Sequence, residues 1–205
     1  MNKYWIEHPT TLHGKLIDLL PLEEQHFDEL LQAANDKRIW EFYTGDWSDP
    51  ETFKKVYNGT LKLRDKGIEY PFVIFHKKQQ KIIGSTRLLD IHHYDRWVEI
   101  GGTWLMPEYW ATAINFDCKL ALLTFCFEHL DANRVQLKTQ HDNVRSRNAI
   151  RKIGGVFEGV IRQHMLKDNG TFRSSAYFSI LKEEWHKVKH NLERQLTEKM
   201  NLKPD

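Results

Sequence analysis

A strand-like segment, a proline turn and a run of small residues lead into a strongly apolar helix near the middle of the chain. The strand covers residues 97–105, the turn begins at Pro107, and the small residues are 111–113. When such a turn opens a helix, several backbone N–H groups point at one place, where the partial charge of the helix favours an anion. The spacing therefore predicts a site for a pyrophosphate group.

Several polar motifs follow this region. They are Asn143-x-x-Ser146, Lys152-Ile-Gly-Gly155, Glu158-Gly159-x-x-Arg162 and Asp168-Asn-Gly170. With these motifs, residues 12–181 resemble the GNAT acetyltransferase superfamily, and the later part is most similar to its RimJ/RimL branch, which acetylates protein N-termini and small amines. The resemblance implies a GNAT fold and acetyl-CoA as the cosubstrate.

The resemblance also implies where acetyl-CoA binds. In the family, one strand pairs through its backbone with the pantetheine arm, and one of its N–H groups can face the oxyanion. The matching strand residues are Gly102, Thr103, Trp104 and Leu105. The residues that match the pyrophosphate loop are Trp110, Ala111, Thr112, Ala113 and Ile114.

Two residues depart from the family's loop pattern. Glu108 stands where the family has Arg or Gln, so an acid lies near a polyanion. Ala111 stands where the family has Gly, which adds a methyl group at a position that can require positive φ. Both departures predict weaker cofactor binding, and an ordinary Pro-led turn into a helix is the alternative interpretation.

Acetyl transfer to an amine needs a base for the amine proton and an acid for the departing thiolate. The resemblance implies that Asn143 contacts the pantetheine arm and that Ser146 protonates the thiolate; the alternative is that both are helix caps. Glu99 is the first candidate base, although it could equally be an exposed cross-strand partner of a cation. His164 is the second, because imidazole has an ordinary pKa near 6.5.

Two further groups are candidates for ligand binding. Arg147 and Arg151 share a helix face and are predicted to hold the 3′-phosphate of CoA, a solvated charged face being the alternative. Trp40 and Tyr43 lie where the family has its acceptor groove and are predicted to bind the acceptor, although such clusters are more often core.

Hydrophobic periodicity and turn signals predict the secondary structure. The predicted strands cover residues 16–20, 71–75, 81–90, 97–105, 135–139, 156–167 and 171–181. The predicted helices begin at Pro21 and near Ser48 and cover 116–130, 144–153 and 182–200. We therefore expect an α+β (α/β mixed) GNAT fold with a mostly antiparallel, splayed seven-stranded sheet, flanked by helices and followed by an extra C-terminal helix. Residues 1–181 would form the acetyltransferase domain, and 182–205 a helical tail packed on it or extending it.

Composition excludes several other classes of protein. The 205 residues carry a net charge of +2, with 28% of them charged, which gives no reason to expect nucleic acid as a partner.

Cys118 and Cys126 are predicted to be reduced core thiols. The first residues lack an apolar run of signal-peptide length, and no segment approaches the ~18 apolar residues of a membrane span. We expect a cytoplasmic protein, a monomer or homodimer, with no membrane association.

No spacing typical of a metal site, a serine hydrolase, a P-loop or a dinucleotide-binding fold occurs. The prediction is an enzyme, an acetyl-CoA-dependent N-acetyltransferase without a metal. Its partner would be a primary amine, namely a protein N-terminus, an amino acid or a small amine. The alternative is a CoA-binding module of the same fold with weak or lost catalysis that acts in regulation or assembly, which the departures at Glu108 and Ala111 favour.

Overall fold

The computed structural model describes residues 5–202. The expectation about the N-terminus rests mainly on residues 1–4, which lie outside that range, as do residues 203–205 of the predicted tail. Within residues 5–202, no helix is both long and apolar enough to cross a membrane.

One mostly antiparallel sheet forms the centre of the molecule, in the order β1-β2-β3-β4-β5-β6-β8-β7. Its strands are β1 (Leu12–His13), β2 (Ile17–Pro21), β3 (Tyr70–His76), β4 (Lys81–His92), β5 (Trp97–Leu105), β6 (Arg134–Gln140), β7 (Val156–Leu166) and β8 (Phe172–Leu181). The described part of the chain thus has eight strands, one more than predicted. The added strand, β1, is too short to show the alternation by which strands are recognised in a sequence.

Five α-helices accompany the sheet within the described residues. They are α1 (Phe27–Ala33), α2 (Pro50–Asp65), α3 (Ile114–Thr124), α4 (Val144–Lys152) and α5 (Trp185–Leu202). The helix predicted to reach residue 130 becomes a π-helical turn after residue 124. The C-terminal helix was predicted from residue 182 and begins at Trp185, after a single 3-10 turn.

The start of the first helix was predicted wrongly at Pro21. This proline is the last residue of β2 and lies opposite Phe72 of β3, so the pairing of the two strands decides its place. Proline is compatible with a strand end, where its missing N–H costs no ladder hydrogen bond. The second helix start is confirmed: Asp49 accepts a hydrogen bond from the Thr52 N–H at 2.8 Å and Pro50 is the first helical residue.

Two apolar clusters cover opposite faces of the sheet. Phe72 and Ile74 of β3 belong to one cluster, and Val73 between them belongs to the other. Because successive strand side chains point to opposite faces, the helices in each cluster lie on opposite sides. Helices α3, α4 and α5 contribute to the first cluster, and α1 and α2 to the second. Cys118 and Cys126 are buried free thiols in the first.

The sheet splits between β5 and β6. These parallel strands pair only from Trp97 opposite Arg134 to Glu99 opposite Gln136. Beyond Glu99 each strand continues for four to six residues, but β6 pairs only with β8 on its other side. A wedge-shaped cleft therefore opens above Glu99, with one edge of β5 free to pair with something else.

Candidate active site

Two side chains already contact the free edge of β5. The Tyr43 hydroxyl donates to the Thr103 carbonyl oxygen at 3.0 Å, and the Trp110 indole N–H donates to the Leu105 carbonyl oxygen at 2.9 Å. Thr103 and Leu105 are two residues apart, so their backbone groups point the same way, into the cleft. This edge has the geometry that an extended ligand with amide groups would need.

A β-bulge interrupts β5 beside the cleft. Ser85 of β4 lies opposite Trp104, but Arg87 lies opposite Gly101, so Gly102 and Thr103 face a single residue. Gly102 has φ +56°, a conformation that glycine adopts without a Cβ clash. Bulges re-aim backbone and side chains and are frequent next to active sites.

The bulge is held from α3 by Lys119, a residue the sequence did not single out. Its Nζ donates to the Thr103 hydroxyl at 2.7 Å, and Lys119 as a whole is only 6% exposed. No carboxylate among residues 5–202 lies within ion-pair distance of it. Burial lowers the pKa of Lys119, as expected for a cation without a counter-ion.

The segment before α3 has the backbone of an anion site. Ala111 has φ +60°, the left-handed conformation for which the family uses Gly. Among residues 5–202, the N–H groups of Ala111, Thr112 and Ala113 have no acceptor, whereas the Ile114 N–H donates to the Thr112 hydroxyl at 3.3 Å. These three donors are therefore available to a phosphate at the start of α3.

Two charged side chains border this segment. Glu108 lies 3.4 Å from the ammonium group of Lys81, so its charge is partly compensated on the side away from the cleft. Lys199 of α5 donates to the Ala111 carbonyl oxygen at 3.3 Å and brings a cation to the segment. No sequence pattern links residue 199 with residue 111, and only the packing of α5 does.

At the start of α4, the two predicted residues have different roles. The Asn143 side-chain oxygen accepts from the Ser146 N–H at 2.9 Å and is the helix cap. Asn143 is buried, while Ser146 is half-buried and its hydroxyl makes no hydrogen bond within residues 5–202. The Ser146 hydroxyl is therefore free to act on a ligand.

Of the arginines on α4, Arg145 contacts the segment before α3, whereas the predicted ligands Arg147 and Arg151 lie elsewhere. The Arg145 guanidinium stacks on Trp110, 4.0 Å from the ring centroid, and so bridges from α4 to the segment before α3. Arg147 and Arg151 instead lie over Phe157, at 5.8 and 6.0 Å. Their proposed role as ligands of the CoA 3′-phosphate stays a prediction.

Glu99 lies at the apex of the cleft and is fully buried. One carboxylate oxygen is 3.0 Å from the Lys138 ammonium and 2.9 Å from the Gln136 amide nitrogen, and the other is buried with no hydrogen bond to any described residue. Burial raises the pKa of Glu99, and Lys138 opposes this rise. Gly101 leaves room for the carboxylate, because a Cβ there would lie 2.8 Å from Glu99 Oε1. The exposed-partner interpretation does not fit this burial.

His164 comes to the same face through a second bulge. The register between β7 and β8 shifts between Ile161 and Met165, which directs the imidazole towards β8. Its Nδ1 lies 3.0 Å from the Ser175 hydroxyl and its Nε2 3.3 Å from the Tyr177 hydroxyl. Burial, with Lys138 and Arg173 nearby, lowers the pKa of His164. Tyr177 lies directly opposite Lys138, so one polar cluster joins His164 to Glu99.

The aromatic cluster beside the bulge is tightly packed. Trp40 is only 3% exposed and donates its indole N–H to the Ala34 carbonyl oxygen at 2.9 Å. The cavity next to Trp47 and Trp104 has a volume of about 20 Å³, roughly that of one water molecule. Tyr43 is half-buried and borders the cleft, whereas Trp40 supports it from the core.

Sequence reasoning missed Lys119, Lys138, Tyr177 and Arg173. The sequence does contain a pattern that could have indicated Lys138, Tyr177 and Arg173. Alternate positions of β6 and β8 are polar, which is typical of a sheet face that no helix covers. Lys119 gives no signal, because a single lysine in an apolar helix usually reaches solvent.

Comparison with known proteins identifies the family. The sequence profile described as "Acetyltransferase (GNAT) domain" matches residues 17–156. The chain belongs to the GNAT acetyltransferase family. YdaF of Bacillus subtilis (strain 168), named as a candidate ribosomal N-acetyltransferase, is 27% identical over 172 residues, 82% of this chain and 90% of its own length.

Solved GNAT structures share the fold. A GCN5-related N-acetyltransferase from Brucella melitensis superposes with a TM-score of 0.84 at 24% identity, over 93% of this chain and 86% of its own. RimJ of Mycobacterium smegmatis, in complex with CoA-disulfide, gives 0.77 at 20% identity, over 92% and 95%. The mixed, splayed fold predicted from the sequence is confirmed.

The features described above fit acetyl-CoA, the cosubstrate of GNAT enzymes. The free edge of β5 suits the pantetheine amides, and the N–H groups of residues 111–113 suit the pyrophosphate. Among residues 5–202, no group of three or more His, Cys, Asp and Glu side chains is arranged to hold a metal ion.

Proposed function

We propose that this GNAT protein transfers the acetyl group of acetyl-CoA to a primary amine by direct attack of the amine on the thioester. The acceptor would be a protein N-terminus, an amino acid or a small amine. The observation that carries the proposal is the cleft between β5 and β6, which has a free strand edge and the buried carboxylate of Glu99 at its apex. The contact of Arg145 with Trp110 holds the start of α4, where Ser146 lies, beside the segment before α3.

Acetyl-CoA supplies a thioester whose carbonyl carbon the amine attacks. One backbone N–H group of residues 102–105 faces the carbonyl oxygen, where negative charge develops. Glu99 takes the proton that the amine loses through water, because its carboxylate is fully buried at the apex of the cleft. Ser146 gives a proton to the sulfur as the C–S bond breaks. His164 is the alternative base, and the Tyr177 hydroxyl connects it with the same cluster.

Binding and turnover are measured separately to test this function. Titration calorimetry with acetyl-CoA reports cofactor binding, and release of free CoA thiol in the presence of a panel of amines reports transfer. Mass spectrometry of each acceptor should show a gain of one acetyl group on nitrogen. A panel of hydroxyl acceptors serves as the matched control.

The second candidate is a CoA-binding module with weak or lost catalysis. The strained conformation of Ala111 favours it, because the family's loop has Gly at that position. In that case acetyl-CoA would bind, and no acceptor in the panel would release thiol above the rate of spontaneous hydrolysis.

A further inference from the structure

Arg173 is a cation without a counter-ion in the acceptor groove. It lies on β8, on the same face as Ser175 and Tyr177, and is half-buried. Its NH1 group donates to the Phe42 carbonyl oxygen at 3.0 Å, while its buried Nε has no hydrogen-bond partner in the described part of the chain. Among residues 5–202, no carboxylate lies within ion-pair distance of it.

The surroundings of Arg173 place it next to the reacting groups. Burial lowers the pKa of Arg173, and Tyr43, Glu99 and Tyr177 are close enough to oppose this lowering. Tyr43 in turn donates to the Thr103 carbonyl oxygen of the bulge. The guanidinium therefore lies on the acceptor side of the cleft.

Two other cations beside Tyr43 and Tyr177 are already compensated. Arg87, which is also close to Tyr43, is 3.2 Å from the buried carboxylate of Glu69. Lys138 pairs with Glu99 at 3.0 Å and with Asp90 at 3.8 Å. A buried charge is costly unless it is paired, and a guanidinium is suited to bind a carboxylate through two parallel hydrogen bonds. A carboxylate on a ligand can supply the counter-ion that the described residues do not provide for Arg173.

We propose that Arg173 binds a carboxylate of the acceptor, so that the preferred acceptors carry an acidic group close to the amine that is acetylated. This inference rests on the proposed function and adds the substrate class to it. The carboxylate has two possible sources, the α-carboxylate of a free amino acid and the side chain of an acidic residue next to a peptide N-terminus.

The test uses pairs of acceptors in which an amide replaces the carboxylate, with kcat/KM expressed per unprotonated amine because the replacement also changes the basicity of the amine. Glycine is compared with glycinamide, and the capped peptide Ala-Asp-Ala-amide with Ala-Asn-Ala-amide, so that the two pairs separate the two sources. Charge-assisted hydrogen bonds predict that kcat/KM is about 10- to 100-fold higher for the acidic member of one pair. Arg173→Gln should lower kcat/KM for the acidic member far more than for the amide member and so abolish this preference. Arg173→Lys should retain part of it, because lysine keeps the charge and loses the fork geometry.

Arg194→Gln is the matched control, since Arg194 is an exposed arginine on α5 and its loss should leave the preference unchanged. Equal use of both members in both pairs by the unaltered protein would overturn the inference and leave the proposed function standing. A uniform loss for both members in Arg173→Gln would also overturn it, as would the same loss of preference in Arg194→Gln. If acetyl-CoA binds and no amine is acetylated, the proposed function itself fails.

Discussion

At the scale of single residues, Ser146 is the clearest catalytic test because Asn143 performs the capping. Ser146→Ala removes a hydroxyl that makes no hydrogen bond within the described residues, so the cap and the melting temperature should be unchanged. If Ser146 protonates the thiolate, kcat should fall about 10²- to 10⁴-fold with little change in the Kd for acetyl-CoA. Steady-state kinetics and calorimetry measure both quantities.

Asn143→Ala is the contrasting variant. It removes the cap and should lower the free energy of unfolding by about 1 kcal/mol. If Ser146→Ala changes kcat only a few-fold and destabilises the protein as much as Asn143→Ala does, the hydroxyl has a structural role and the acid is another group.

The left-handed backbone conformation of Ala111 leads to a second prediction, about stability. A φ of +60° costs an L-residue roughly 1–2 kcal/mol, and glycine avoids this cost. Glycine loses more backbone entropy on folding, which offsets part of the gain. Ala111→Gly should therefore raise the free energy of unfolding by about 0.5–1 kcal/mol, measured by urea denaturation. Acetyl-CoA should bind at least as tightly, because a methyl group is removed beside the phosphates.

The same substitution inside α3 gives the control. Ala121→Gly lies in a regular helix and should lower the free energy of unfolding by about 1 kcal/mol. Equal destabilisation by both substitutions would show that residue 111 is not in the left-handed conformation in solution.

At the scale of elements, the β5–β6 apex couples Glu99 to Lys138 across the two strands. Burial raises the pKa of Glu99 and Lys138 opposes that rise, so removal of the ammonium group should raise the pKa further. If Glu99 is the base, the rising limb of the kcat/KM profile reports its pKa. Lys138→Gln should move that limb to higher pH, and Glu99→Gln should remove it.

Both variants break the same ion pair, so loss of stability alone cannot account for different profiles. Thermal denaturation of each provides the check. If Glu99→Gln retains the parental limb and His164→Ala abolishes activity, the base is His164, whose pKa is lowered by burial.

At the scale of the whole molecule, α5 shares the core of the sheet domain. Leu192 is fully buried in the cluster that includes α3 and the sheet. Leu192→Ala should lower the free energy of unfolding by roughly 2–5 kcal/mol and keep a single transition. Urea unfolding followed by both circular dichroism and tryptophan fluorescence measures this.

Glu193→Ala, at the next and exposed position, should change the unfolding midpoint little. If residues 182–205 formed a separate tail, Leu192→Ala would leave the unfolding transition of the sheet domain unchanged. That result would support a boundary at residue 181, which stays a prediction.

The sequence by itself determined most of the secondary-structure elements and the conformation of the segment before α3, whereas the cofactor site at that segment stays a prediction. Strand alternation, the Asp49-Pro50 helix start and the segment before α3 depend on neighbouring residues along the chain, and local patterns predict such features well. The positive φ expected at Ala111 is likewise a local property, and it was found.

Tertiary structure decided which distant residues come together on the proposed acceptor side. Pairing with β3 turned Pro21 into a strand end, and packing made Trp40 a core residue and Glu99 the partner of Lys138. Arg173 reaches Phe42 across 131 positions of the chain, and Lys199 reaches Ala111 across 88. Such contacts depend on sheet register, bulges and helix docking, which are set by burial of the whole core rather than by the residues near each position along the chain.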